Sequence, residues 1–453
     1  MRLRDRRLVD QLLREGRPGE EYVVAGWVEA VRRHGGVVFV VVRDKSGRMQ
    51  LVVKKNVAPE AWKLARKLSL ESVVAARGVL RESKAALGGR ELQVREMEVL
   101  SEAEPLPIDI RSPEKTTLAK RLDYRWLDLR NPRNRLIFLI EAEMVRAARE
   151  WFRRHGFVEI FTSKLVGSAT EGGAEVFPVL YFDKQAFLAQ SPQLYKQMGV
   201  IAGFERVFEI APAFRAEPHH TTRHLTEYTS IDFEMGFIDS YMDVLETAVQ
   251  VILEMVRAAL EKYRDEIREY FPDAVLETPR YRVVTMEEAR DLLAAHGKEL
   301  PPGADLDSEA ERLLGRIMRE KGYDIVAVTR YPWAARPFYT MPCTCTEGEA
   351  GLPECCRGLR PETPTCSFDI LFRGLEVATG GQRQHNPDCL VEQLKSKGLH
   401  PASFKWYIDM FRHGAPPHGG AGIGLERVTM QLLGLKNIRE ARLTPRDPER
   451  LTP

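Results

Sequence analysis

No apolar run in this 453-residue chain reaches transmembrane length, which excludes a helical membrane span. The first residues, MRLRDRRLVDQLLREG, lack the apolar centre of a secretory signal and read as a short basic helix, so a soluble, cytoplasmic protein with no membrane partner is expected. Charge of one sign is missing too. Lys and Arg number 67 against 65 Asp and Glu, a formal net charge of +2, so any nucleic-acid-binding face must come from local clusters. There is no GK[ST] and hence no P-loop, and no acidic residue follows to complete a dinucleotide fingerprint. Internal repeats and low-complexity tracts are absent as well. What remains is a chain long enough for two or three domains with real cores.

From about residue 20 to 102 the texture is that of strands. VVAGWVEAV, VVFVVVRD, RMQLVVKK, SVVAARGVL and ELQVREMEVL are rich in β-branched residues and are parted by turn signals such as HGG and KSG. A helical piece, APEAWKLARKL, separates the third run from the fourth. Five strands with one helix in that place is the layout of an OB-fold barrel; another small β-barrel fits the same pattern. The division predicted is 1–103 for this barrel with its leading helix, 104–131 for a Pro- and charge-rich hinge, and 132–453 for a second domain. In that domain Ile137, Ile140, Met144, Ala148 and Trp151 form one helical stripe, and Gly156 is a stop. Ser308–Lys321 reads as a helix opened by a capping box from Ser308 to Glu311. Strands and helices alternate without a βαβ cadence, which predicts an α+β domain on a mainly antiparallel sheet rather than a Rossmann fold.

Three stretches carry candidate chemistry. In 207–235, VFEIAPAFRAEPHHTTRHLTEYTSIDFEM, one strand ends in Arg215 and Glu217. A polar loop follows, and a second strand places Asp232 and Glu234 on one face. Arginine suits phosphate because its planar fork binds in a bidentate manner; a solvated charged hairpin is the plainer alternative. In 371–385, LFRGLEVATGGQRQH, Glu376 and Thr379 offer hard oxygen ligands suited to magnesium, and two glycines present Arg383. An ordinary hairpin would also explain it. In 418–434, HGGAGIGLERVTMQLLG, glycines permit close approach to a ligand and Arg427 falls in the first turn of a helix.

Taken together the three stretches resemble the class II aminoacyl-tRNA synthetases, with Arg215–Glu217 as the second motif and Gly422-Ile423-Gly424-Leu425-Glu426-Arg427 as the third. TEGGAEVFPV, QSPQLYKQ, FRAE, TTRHLTE, IDFEM, GGQRQH, PPHGG and the terminal PRDPERLTP are similar to the aspartyl-tRNA synthetases of archaeal and eukaryotic type. The resemblance implies ATP-dependent activation of L-aspartate and its transfer to tRNA, by a homodimer. Arg215 and Arg427 would be catalytic, gripping the α- and γ-phosphates. Ala216, Glu217, Arg223, His224, Leu225, Glu376, Gly422, Ile423, Gly424 and Leu425 would complete the ATP site, and Glu376 with Thr379 would hold Mg²⁺. Glu171, Gln193, Lys196, Asp232 and Arg383, with Arg215 and Thr379, would bind aspartate. Of these, Lys196 and Arg383 would read the side-chain carboxylate, and an asparagine amide would leave both cations without an anion.

In the barrel the resemblance assigns Phe39 and Gln50 to anticodon bases, by stacking and edge reading. It also makes positions 29 and 86 selectors between tRNAs. Family members that reject asparagine tRNA carry Trp and Lys there; this chain has Glu29 and Ala86, which points to charging of both tRNA(Asp) and tRNA(Asn). Rival readings are a discriminating aspartate enzyme, an asparagine- or lysine-specific relative, a non-catalytic RNA-binding relative, and a tRNA-independent amidating enzyme. Two departures stand out. Ser163 replaces a Pro of the first motif, an element that normally builds the dimer interface, and Thr379 replaces a Ser. An insertion around 342–366 crowds together Cys343, Cys345, Cys355, Cys356 and Cys366, with Cys389 further on. That spacing fits no standard zinc pattern; disulfides, a metal or no joint role all remain open.

Overall fold

The computed structural model describes residues 1–167, 175–218, 221–345, 356 and 358–453, the side chains of Leu87 and Cys345 excepted. These fall into two compact units, Met1–Asp109 and Ile110–Pro453. Among the described residues no helix is long and apolar enough to cross a membrane.

The first unit begins with helix α1 (Val9–Glu15) and continues as strands β1 (Glu21–His34), β2 (Val37–Arg43) and β3 (Arg48–Lys54). Helix α2 (Pro59–Lys67) and strands β4 (Val73–Glu82) and β5 (Arg90–Ser101) complete it. The strands close into a barrel in the order β1-β2-β3-β5-β4, the OB-fold arrangement expected. Period-two alternation explains the closure. Val38, Val40 and Val42 are buried in the barrel core while Phe39 between them is only half-buried on the outer face. Pro59 starts α2 at a position where its missing N–H costs nothing, and Ala61 and Ala65 press it onto the barrel.

The second unit opens with segment 110–131, read as a hinge from its composition, which is tied into this unit. Asn131 Nδ2 donates to Ile110 O at 2.8 Å, and Arg125 donates to Glu440 O at 3.1 Å and Arg442 O at 3.0 Å. Helix α3 (Pro132–Arg154) follows, capped by Asn131 and ended by Gly156 at φ +79°. Its stripe of Ile137, Ile140, Met144 and Ala148 is buried; Trp151 packs at the rim of the same core. Truncating fully buried Ile140 to Ala should cost about 2–5 kcal/mol.

The remaining elements that frame the site are β6 (Val158–Glu159), α4 (Gln193–Gly199), β7 (Arg206–Phe214), β8 (Glu227–Gly236) and α5 (Tyr241–Tyr270). After them come β9 (Tyr281–Thr285), α6 (Ser308–Glu320), β10 (Ile325–Thr329), β11 (Ser367–Phe372), β12 (Leu375–Gln382), β13 (His418–Gly424) and α7 (Leu425–Leu433). One sheet runs β9-β10-β11-β12-β13-β8-β7-β6. It is antiparallel from β10 to β7 and parallel only at its two ends, where β9 meets β10 and β6 meets β7. Helices α3 and α5 pack on each other and join the main core that the sheet's apolar residues also line. One expected detail is corrected. The cap of α6 is Asp307, whose carboxylate accepts from the N–H groups of Glu309 and Ala310, so Ser308 and Glu311 form no capping box. Asp307 wins because it stands one residue earlier and reaches both orphan donors, which leaves Glu311 available for a different partner.

Candidate active site

The sheet register gathers the three motif stretches. Asp232 lies opposite Gly422, and Glu234 opposite Gly420, across β8 and β13; Thr379 lies opposite Gly422 across β12 and β13. A cleft of about 320 Å³ opens here, within the range of small-molecule sites. Arg215, Glu217, Arg223, His224, Glu376 and Arg427 line it, as do Gln193, Lys196, Asp232, Thr379 and Arg383. The glycines of β13 are needed for this. A Cβ on Gly420 would stand 2.1 Å from Glu234 Oε2, and one on Gly422 3.2 Å from Asp232 Oδ1.

A buried tetrad of charges forms one wall. Lys196 Nζ donates to Asp232 Oδ1 at 3.0 Å and Ala421 O at 3.3 Å, and stands 3.5 Å from Glu234 Oε2. Its three protons are thereby matched by three oxygens. Arg383 donates from Nε to Glu234 Oε1 at 2.9 Å and from Nη2 to Gly420 O at 2.8 Å and Glu234 Oε2 at 3.4 Å. Its guanidinium also faces the Tyr339 ring. Burial pushes the Glu234 carboxyl up, but the charges of Arg383 and Lys196 overcome this and hold it below the ordinary value. Asp232 Oδ2 accepts from Ser230 Oγ at 2.5 Å. These contacts modify the specificity argument made from sequence. Lys196 and Arg383 are already neutralised by Asp232 and Glu234, so a neutral amide in the pocket would not leave them bare.

Behind the tetrad runs a neutral chain of which sequence reading had named only Gln193. His418 Nε2 is 2.8 Å from Gln197 Nε2, Tyr407 donates to Gln197 Oε1 at 2.9 Å, and Gln193 Nε2 donates to the same oxygen at 3.1 Å. Burial lowers His418 to about 4, so the ring is neutral near pH 7. Nδ1 then donates to Pro416 O at 2.9 Å while Nε2 accepts from Gln197. The QLYKQ string held the signal, since Gln193 and Gln197 sit one helical turn apart.

On the phosphate side Arg215 is about one-third exposed, 3.7 Å from Glu217 and beside the Tyr228 ring. His224 Nδ1 is 2.6 Å from Thr221 Oγ1. Leu225 is buried beneath this loop. Arg427 Nη1 donates to Glu376 O at 2.8 Å and lies 3.6 Å from its carboxylate. Its neighbour Glu426 turns the opposite way, accepting from Thr229 N and Arg442, and so fixes the face of α7 that presents Arg427. Arg223 donates to Glu311 at 2.7 Å. Burial raises Glu311 to about 7, with the Glu376 charge adding to the effect. Asp305, also in the cleft, is raised to about 6 by burial and then by Asp369.

Magnesium fits the hard oxygens present. Asp369, unassigned from sequence, is the cross-strand partner of Thr379, and its buried Oδ1 has no hydrogen-bond partner among the described residues. Arg336 holds the rest of the seat, donating to Thr379 Oγ1 at 3.2 Å and standing 2.8 Å from Asp369 Oδ2. Among the described residues no three His, Cys, Asp or Glu side chains make a metal cage.

Of the remaining expectations, Glu171 lies outside the described residues, as does Cys355. In the barrel, Phe39 and Gln50 share the outer face of β2 and β3, where Gln50 Nε2 donates to Glu91 at 3.0 Å. Glu29, at a bulge in β1, is 3.0 Å from Arg48 and 3.3 Å from Arg43. Ala86 is buried before the turn that leads into β5.

A barrel of the OB-fold type and a catalytic-type cleft lined by arginines, a lysine and carboxylates on a mainly antiparallel sheet occur here in one chain. Residues 117–448 match the family described as tRNA synthetases class II (D, K and N), and residues 22–100 the OB-fold nucleic acid binding domain. The chain belongs to the class II tRNA synthetases of this D, K and N group. It is 48% identical to the aspartate–tRNA(Asp/Asn) ligase of Aeropyrum pernix over the whole of both chains. It is 44% identical to the aspartate–tRNA(Asp) ligase of Pyrococcus horikoshii, covering 96% of this chain and 97% of that one. Among solved structures, the asparaginyl-tRNA synthetase of Pyrococcus horikoshii complexed with asparaginyl-adenylate superposes with a TM-score of 0.87 at 34% identity. That match covers 96% of this chain and 97% of the other.

Proposed function

We propose that this chain is an aspartate–tRNA ligase that charges both tRNA(Asp) and tRNA(Asn), acting as a cytoplasmic homodimer. The observation that carries the amino-acid choice is the convergence of two buried cations, Lys196 and Arg383, on one wall of the cleft. The cations there read the aspartate side chain, and Asp232, with Glu171, takes the substrate ammonium. Gln193 adds a polar contact.

In the first step a carboxylate oxygen of aspartate bonds to the α-phosphorus of ATP and the bond to the β-phosphate oxygen breaks, releasing pyrophosphate. Position and charge matter more than a general base for such a transfer. Arg215 neutralises the charge developing at the α-phosphate; Arg427 anchors the γ-phosphate. Glu217, Arg223, His224 and Leu225 position the nucleotide beside the glycine strand Gly422–Gly424. Glu376 and Thr379, with Asp369, would hold Mg²⁺, which would supply neutralisation of the phosphates when bound. In the second step a ribose hydroxyl at the tRNA end attacks the activated carbonyl and AMP leaves. Phe39 and Gln50 contact the anticodon.

Dual tRNA use is favoured by Glu29, which is held against Arg43 and Arg48, and by small, buried Ala86, because neither supplies a large aromatic or a free ammonium. The test is aminoacylation with aspartate and with asparagine against purified tRNA(Asp) and tRNA(Asn). Aspartate should be attached to both tRNAs and asparagine to neither. Attachment of asparagine would overturn the amino-acid assignment, and rejection of tRNA(Asn) the dual one.

A further inference from the structure

The Cys-rich insertion takes no part in the chemistry above, yet its described thiols are not scattered. Cys343, Cys356, Cys366 and Cys389 are all buried and, with Met341, form a cluster of their own. Within it Cys343 Sγ and Cys366 Sγ are 3.0 Å apart, although the residues are 23 positions apart in the chain. The backbone on either side holds them there. Pro342 bridges Thr365 in antiparallel fashion, Cys343 N donates to Pro364 O at 3.0 Å, and Cys366 N donates to Met341 O at 2.8 Å. Two thiols held 3.0 Å apart by paired backbone need to approach by only about 1 Å to reach a disulfide bond length. The other two thiols of the cluster meet each other: Cys356 hydrogen-bonds with Cys389, and Cys356 Sγ also accepts from Gln384 Nε2 at 3.3 Å.

We propose that Cys343 and Cys366 are an oxidisable pair that closes into a disulfide and staples the insertion to the start of β11. The oxidant is an organic disulfide. One thiol of the pair, as its thiolate, attacks a sulfur of that disulfide and expels the first external thiol. The other thiol then loses its proton, attacks the mixed disulfide and expels the second, so that two protein thiols are oxidised as one external disulfide is reduced. Because both sulfurs are buried, exchange takes place during folding or on local opening of the segment. The staple lies close to the specificity wall. Cys366 O accepts from Gln382 N at 2.9 Å, and Thr340 bridges Arg383, so each partner is within a few residues of a contact to the strand end that carries Arg383.

The test uses the full-length enzyme purified without reductant, denatured in the presence of iodoacetamide, digested and mapped by mass spectrometry. Cys343 and Cys366 peptides should be found joined, and should take up alkylating agent only after reduction. In unfolding experiments, reduction of the wild type should lower the folding equilibrium constant on the order of a hundredfold. Cys343→Ser, Cys366→Ser and the double variant should each sit at that reduced level and no longer respond to reductant. Should the variants fail to fold, oxidised against reduced wild type decides the matter alone. Full alkylation of both cysteines without reduction, a link from Cys343 to Cys356 or Cys389, stoichiometric zinc protecting the thiols, or identical unfolding with and without reductant would each overturn the proposal. The readout is chemical, so it is independent of the substrate assignment.

Discussion

Arg383 and Glu234 form a buried, two-point ion pair, with Nε 2.9 Å and Nη2 3.4 Å from the two carboxylate oxygens. Glu234 is fully buried and lies between Arg383 and Lys196. Glu234→Gln should therefore destabilise the fold by about 3–5 kcal/mol, because it leaves buried positive charge undercompensated. Urea unfolding checks this, and a variant as stable as the wild type would show that the pair does not hold the wall together.

Replacing Lys196 or Arg383 by Met should raise KM for aspartate and shrink the preference over asparagine. A change of roughly tenfold to a few hundredfold in kcat/KM is expected, the scale on which a site built around a polar group loses discrimination. The measurement is ATP–pyrophosphate exchange with each amino acid; unchanged ratios in both variants would place the reading elsewhere.

Arg215→Ala should cripple pyrophosphate exchange while leaving tRNA binding largely intact. Loss of one preorganised charge partner costs about 3–4 kcal/mol, or some hundred- to thousandfold in kcat. Exchange close to wild type would remove Arg215 from the α-phosphate.

The two anticodons differ only in their third base, C against U, so selectivity rests on one base edge. One hydrogen-bond mismatch is worth about 1–3 kcal/mol. The wild type should charge both tRNAs within about tenfold in kcat/KM. Glu29→Trp combined with Ala86→Lys should shift preference towards tRNA(Asp). Strict rejection of tRNA(Asn) by the wild type would assign the third base to another residue.

Glu311 gives a pH dependence with a definite sign. Its carboxyl is raised from 4.5 to about 7 by burial, so between those values the folded state binds more protons than the unfolded one. This contribution makes stability fall as pH rises from about 4.5 to 7 and level off above. Glu311→Gln should remove that part of the slope, at most about 3 kcal/mol across the window. Thermal unfolding of both proteins from pH 4.5 to 8 measures it; parallel curves would mean that Glu311 titrates normally.

The barrel was legible because its strands alternate cleanly, Val38, Val40 and Val42 inward and Phe39 out, and because turns separate them. The spacing of Asp232 and Glu234 likewise showed a shared face. Long-range partnerships were not legible. Nothing in local spacing says that Lys196 on a helix will meet Asp232 on a strand 36 residues later, or that Glu311 leaves its own helix end for Arg223. Asp369 escaped notice because its meaning comes from standing opposite Thr379 across a bulged pair, a relationship that only the register supplies. The α6 cap was misplaced by one residue because Asp307 and Ser308 are both good caps and the sequence does not rank them.

The charged wall has a consequence for how affinity is set. Asp232 and Glu234 occupy the cations that the proposed function assigns to the incoming carboxylate, so on that reading the resting pocket would act as its own competitive inhibitor. On the proposed reading, aspartate would enter by exchanging one counter-ion for another, and the gain would be the difference between two ion pairs rather than the strength of one. Affinity can then stay modest even though every interaction in the pocket is strong, and product can leave without exposing a bare buried charge.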